Sequence, residues 1–284
     1  MPESLHVETA GAVDDWGNHR VHLALVVDAY QRAQVRRVAA GESLRAILQG
    51  RDMRFGDHRV EDAAAALRRM RSAADPGPVP VLGREFLRAG DDEAECHAAL
   101  VTQVQAHPLW PWMADERGVG HTLAARLLAR VDFHRARRPS SVWRFCGLGT
   151  MKAVRWHCVV CKSDMVIAGT TKPLSHRDAH TRFRCDGALV LHEQQPGANV
   201  ASPRFENARR GPTYDREAKV VCYLIGVSLL RTGASRADMY REHKQRLALL
   251  HPEWPRQRAH LTALRVMVKA FLRDAWVAAR AQPG

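Results

Sequence analysis

The sequence predicts a mainly α-helical protein, a helical bundle containing a helix-hairpin-helix, with a small inserted module rich in Cys and His. Three observations predict it. Apolar residues recur at helical spacing in both halves of the chain. Gly118-Val119-Gly120 interrupts that spacing near the middle. Helical spacing then vanishes over 155–203, where Cys, His, Gly, Pro and Asn accumulate. The 284 residues divide accordingly into a helical N-terminal region (1–106), the helix-hairpin-helix (107–154), a Cys/His-rich insert and linker (155–203) and basic C-terminal helices (204–284).

In chain order, residues 1–20 are polar with weak periodicity and predict a loose start. Residues 21–48 predict a helix through Leu23, Val26, Tyr30 and Ala33, and 59–74 a second through Ala63, Leu67 and Met70. The run from Asp75 to Gly83 is broken by three prolines and two glycines and predicts a connection. Asp91-Asp92-Glu93 predicts the first turn of the next helix, where acidic side chains suit the dipole. Beyond the insert, three helices are predicted. One covers 214–232 with Val221, Ile225 and Leu229, the next 236–250 with Tyr240 and Leu247, and the last 256–280 with Leu264, Val268, Phe271 and Leu272 inside. Trp110, Trp112, Trp143, Trp254 and Trp276 recur at helix ends and are expected in cores rather than stacked on bases.

Charge is uneven. Lys and Arg total 43 against 30 Asp and Glu, a formal net charge of +13. Residues 1–106 carry −3, 107–154 carry +5, 155–203 carry +2 and 204–284 carry +9. The excess in the second half points to a polyanionic partner there. No apolar run approaches the roughly 18 residues needed to cross a membrane, and the first 20 residues lack a secretory pattern. With six cysteines and no disulfide spacing, the expected compartment is the reducing cytoplasm.

The hairpin carries the functional expectation. A short helix leads to Gly118, and a second starts near His121. The two glycines are expected to permit positive backbone angles without side-chain bulk, with Val119 anchoring the turn. The amides of Gly118, Gly120, His121 and Thr122 would then face outward at a helix N-terminus, a ready phosphate site with Arg126 on its flank. Small Ala124 and Ala125 would let the helices pack closely. Such a contact reads backbone and carries little sequence information. Gly147-Leu148-Gly149 repeats the spacing, with Lys152 and Arg155 beyond it; it is either a second phosphate turn or a plain turn leaving a core helix.

Within the insert, Cys158-Val-Val-Cys161 followed by Cys185-Asp-Gly187 is zinc-ribbon-like. Cys-x-x-Cys on a tight turn directs two thiolates at one metal, and a structural zinc takes four such ligands. Cys185 is the third ligand, and the fourth comes from His176, His180 or His157, with His180 favoured.

The run from Gly118 to Leu128, together with Trp143-Arg-Phe-Cys-Gly-Leu-Gly149, resembles the C-terminal part of insertion-sequence transposases that join a RuvC-like domain to a serine-bearing helix-hairpin-helix domain. Asn207-Ala-Arg-Arg-Gly-Pro-Thr-Tyr214 stands where that family has a basic segment before a helix. His251-Pro-Glu-Trp254 and the helix after it are similar to shorter transposase-annotated proteins of prokaryotic mobile elements. The resemblance implies DNA as partner, with Ser202 the nearest candidate nucleophile by position. No RuvC-like half is evident before residue 107.

The expected function is therefore a nucleic-acid backbone binder of mobile-element or phage type, with DNA first and RNA second as partner. Two other readings stay open: a transposase or recombinase that cuts and joins DNA, and a protein-interaction scaffold. Self-association into a homo-oligomer also stays open.

Overall fold

The computed structural model describes residues 15–168, 176–178, 180–199, 214–233 and 235–282. Ser202 and residues 207–213 lie outside them, as does the side chain of Lys152. Among the described residues the protein is mainly helical. No single helix is long and apolar enough to cross a membrane. The chain forms two compact units, and the division passes through the central turn between Val119 and Gly120.

The first unit holds residues up to 111 and takes back 120–129. It contains α1 (Asp15–Leu48), α2 (Ala63–Ala73) and α3 (Pro80–Gln105). Leu44, Ile47 and Leu48 of α1 pack with Leu67 and Met70 of α2 and with Phe86 of α3. Asp62 caps α2 by accepting from the Ala65 amide at 2.8 Å. Several apolar side chains of α1 face outward, Val21, Leu25 and Val35 among them. The third helix begins well before Asp91. Pro80 occupies its first turn, where a missing N–H costs nothing. Asp92 and Glu93 are therefore mid-helix, and they pair with Arg36 and Arg37 of α1. The acidic run marks an interhelical row of ion pairs instead of a helix start.

Between the units the chain forms α4 (Trp110–Asp115) and α5 (His121–Leu128). The latter belongs to the first unit, where Ala124, Ala125, Leu127 and Leu128 are buried. This helix packs against α1 and α3, whereas the sequence predicts that Ala124 and Ala125 bring the two hairpin helices together.

The second unit holds 112–119 and everything from 130 onward. Its helices include α6 (Pro139–Phe145), α7 (Arg216–Arg231), α8 (Arg236–Leu250) and α9 (Arg256–Ala281), the last three close to their predicted limits. Val221, Ile225 and Leu229 of α7 are buried, as are Leu264, Val268, Phe271 and Leu272 of α9. Two indoles tie α6 and the loop before it to α9. Trp143 donates to the Lys269 carbonyl at 2.9 Å, and Trp276 donates to that of Ala136 at 2.6 Å. The Arg236 guanidinium, at the start of α8, reaches the Glu116 carboxylate and that of Asp274 on α9.

The insert leaves from the end of α6. Leu148 N–H bonds to the Trp143 carbonyl and Gly147 N–H to that of Arg144, with Gly147 at φ +66°. That is a Schellman stop. The chain then runs directly into β1 (Thr150–Cys158), followed by β2 (Asp164–Ala168), β3 (His176–Arg177), β4 (Arg184–Cys185) and β5 (Leu189–Asn199). One antiparallel sheet has the order β2-β1-β5, and β3 pairs with β4 as a separate ribbon. The module thus begins at 150, five residues earlier than the sequence suggests. Gly147 and Gly149 join a helix to a strand, so they form no second helix-hairpin-helix, and Lys152 and Arg155 lie on β1. The insert closes on itself at its root, where the Asp215 amide donates to the Phe145 carbonyl at 2.9 Å.

Replacing Arg236 by Ala leaves Glu116 without its cation, whereas Asp274 keeps Arg273 at 2.9 Å. The side chains of Arg236, Glu116 and Asp274 are each less than a third exposed. Removing one partner of such a buried cluster costs about 3 kcal/mol. Urea unfolding followed by tryptophan fluorescence should show a clearly lower midpoint, with Arg236→Lys falling between the two.

Candidate metal centre and anion-binding turn

Four side chains of the insert converge. Cys158, Cys161, His176 and Cys185 each present a ligand atom, and these atoms all lie within 4.8 Å of one another. Cys158 and Cys185 sulfurs are 3.8 Å apart, and the Cys161 sulfur is 3.3 Å from His176 Nε2. The cluster can hold a metal ion.

Local backbone makes this arrangement. Cys158 ends β1, and the chain turns through Lys162 at φ +57° before β2, which puts Cys161 beside Cys158. The amides of Cys161 and Gly187 point at the sulfurs of Cys158 and Cys185, at 3.5 and 3.4 Å. Gly187 must stay small, because a Cβ there would stand 2.7 Å from the Cys158 sulfur and 2.7 Å from Val160. Hydrogen bonding by Ser163, with help from His176 and Cys158, lowers the Cys161 pKa from 9.0 to about 6. Cys185 moves the other way. The Gly187 amide pulls its pKa down, but burial and the neighbouring sulfurs outweigh that.

The histidine that joins the three cysteines in this cluster is His176, where the sequence favours His180. The ribbon of β3 and β4 pairs His176 with Cys185 in register, so both arrive at the same point. His180 sits in the exposed turn of that ribbon, with its amide bonded to Asp178 at 2.7 Å. His157 is engaged with Asp164 at 2.8 Å. Among the insert's described side chains, Cys158, Ser163, His176 and Leu189 are buried.

At the central turn the two glycines differ. Gly118 has φ +103°, and a Cβ there would meet the Thr232 hydroxyl at 2.6 Å. Glycine is required. Its carbonyl accepts from the Ser228 hydroxyl at 2.7 Å, and the Arg117 carbonyl accepts from Thr232 at 3.2 Å. Val119 is buried, as expected for an anchor. Gly120 departs from the expectation of positive angles. It caps α5 at φ −79° and ψ 172°, a conformation open to any residue, and a Cβ would meet nothing within 4 Å. No side chain caps this N-terminus. The next two side chains turn toward α3: His121 stacks on Trp110 with centroids 4.5 Å apart and lies 3.3 Å from Gln105, while Thr122 lies 3.5 Å from His97. Arg126 is half-buried on the same helix.

The named tryptophans are half-buried and packed. Trp112 lies against Phe271, and Trp254 stacks on His251 at 4.1 Å. Sequence reasoning missed Ser163, Gly187, Ser228 and Thr232. Ser228 and Thr232 act on residues more than a hundred positions away, so no local pattern marks them. The chain matches no family model, no curated protein and no solved structure.

Elemental analysis of the purified protein should find one metal ion per chain, retained by His180→Ala and reduced severalfold by His176→Ala. Uptake by metal-free protein should be strong at pH 7, with Cys161 ionised. It should weaken as the pH falls through about 6 and the proton returns to sulfur.

Proposed function

We propose that this chain binds nucleic acid, DNA in preference to RNA, by holding backbone phosphate at the N-terminus of α5. The observation that carries this reading is the open, uncapped start of that helix at Gly120. Its first amides have no capping side chain, and both amides and dipole favour an anion. His121 and Thr122 are turned aside, which leaves backbone as the group presented. The sequence pattern across this turn is that of a helix-hairpin-helix, and the similarity to transposase hairpins supports DNA as the partner. The +9 charge of residues 204–284 supplies further, sequence-independent attraction.

The metal in this reading is structural zinc. Zinc bonds thiolate sulfur at about 2.3 Å, so two sulfurs on one tetrahedral ion lie about 3.8 Å apart. Cys158 and Cys185 show that separation. Three thiolates and one imidazole leave no open position for chemistry, so the ion would fold the insert and take no part in a reaction.

Gly120→Asp separates binding from folding. Aspartate is a favoured N-cap, better than glycine by about a few tenths of a kcal/mol, so thermal stability should hold or rise slightly. It also covers the amides and adds like charge. Fluorescence anisotropy with a duplex oligonucleotide across a salt series should show steep salt weakening for wild type and at least tenfold weaker binding for the variant. Equal affinity in the folded variant would remove α5 from the interface.

A further inference from the structure

The second unit contains a cavity that neither the metal cluster nor the central turn uses. It has a volume of about 610 Å³, between α7 and α9, with Gly147 and Leu148 at one end. That lies within the range of about 300–1,000 Å³ typical of small-molecule sites. Leu148, Cys222, Leu261, Leu264 and Val268 supply apolar walls, and Gln257 and Thr262 supply hydrogen-bonding groups. Three cations line it as well: Lys219, Arg258 and Arg265. No described carboxylate does.

Arg265 is the telling residue. This protein contains a second part-buried arginine for comparison. Arg236 is given two carboxylates, Glu116 and Asp274, and their hydrogen bonds raise its pKa. Arg265 is half-buried in the cavity wall, and among the described residues no carboxylate pairs with it. Burial alone pushes its pKa down. Burial, and then the charge of Arg265, lowers Lys269 one turn along α9. His243 is lowered by burial and then by Arg246 and Arg265. Among the described residues, then, Arg265 stands in this wall with no carboxylate beside it. A buried cation with no partner costs stability. Such a cost persists where function uses it. Arg258, exposed and stacked 3.9 Å over the Trp254 ring, stands near the start of α9 at the rim.

We propose that the cavity binds a small amphipathic anion, its apolar body against Leu261, Leu264 and Val268 and its single anionic group held by Arg265 and Arg258. The inference is independent of the nucleic-acid reading and does not use Gly120 or the metal cluster.

The probe is 8-anilinonaphthalene-1-sulfonate, an apolar ring system carrying one sulfonate, titrated into the full chain and followed by fluorescence. Neutral N-phenyl-1-naphthylamine is its uncharged counterpart. Wild type should bind one sulfonate dye per chain. Arg265→Gln should weaken that dye at least tenfold, leave the neutral dye within twofold and keep or raise the melting temperature, because an uncompensated charge has gone. Thr262→Trp should fill the cavity and abolish both dyes. Absence of stoichiometric binding to wild type would overturn the proposal. So would equal sulfonate affinity in wild type, Arg265→Gln and Thr262→Trp.

Discussion

The turn that precedes α5 is held by three side chains from far along the chain. Ser228 binds the Gly118 carbonyl, Thr232 binds the Arg117 carbonyl, and Arg236 binds the Glu116 carboxylate. All three come from the end of α7 and the start of α8. Within the second unit this clamp does two jobs. It satisfies carbonyls that the left-handed Gly118 would otherwise leave exposed, and it ties the turn between α7 and α8 to the rest of the unit. Arg236 extends the tie to α9 through Asp274. The helices α7, α8 and α9 therefore share one electrostatic knot with the central turn, besides their apolar contacts. Neutral hydrogen bonds contribute about 1 kcal/mol each, and those to charged groups somewhat more. The knot is thus comparable in weight to a few buried methyl groups and far more directional.

Much of this was legible in the sequence, and the reasons differ by element. The three C-terminal helices follow from apolar spacing, because burial of Val221, Ile225, Leu264 and Phe271 demands one face. The start of α5 follows from glycine placement, and the cysteine ligands follow from Cys-x-x-Cys. The start of α3 was not legible from charge. Acidic side chains serve a helix terminus or a neighbouring helix equally well, and only the Arg36 and Arg37 partners decide. The fourth ligand was not legible either. Choosing His176 over His180 depends on the register of two-residue strands, which no spacing rule fixes. The difference between Gly118 and Gly120 is a matter of backbone angle, and the letters alone treat both glycines alike.

The two parts of the second unit are stabilised by different physics. Its helices bury long apolar side chains and need no ligand. The insert brings Cys158, Cys161, His176 and Cys185 together in a cluster that could hold a metal ion. Small sheets of this size are marginal without a staple. Four preorganised ligands with N–H donors on two of the sulfurs supply the place for one.

The hydrogen bond between Phe145 and Asp215 has an architectural consequence. The chain leaves the helical unit and returns to it at neighbouring points, so a short link could bridge the gap without stretching either helix. Segments whose ends meet in this way can be gained, lost or exchanged while their host keeps its fold. The helical unit is in this sense a chassis, and the strands from Thr150 to Asn199 are an attachment that can diverge at its own pace.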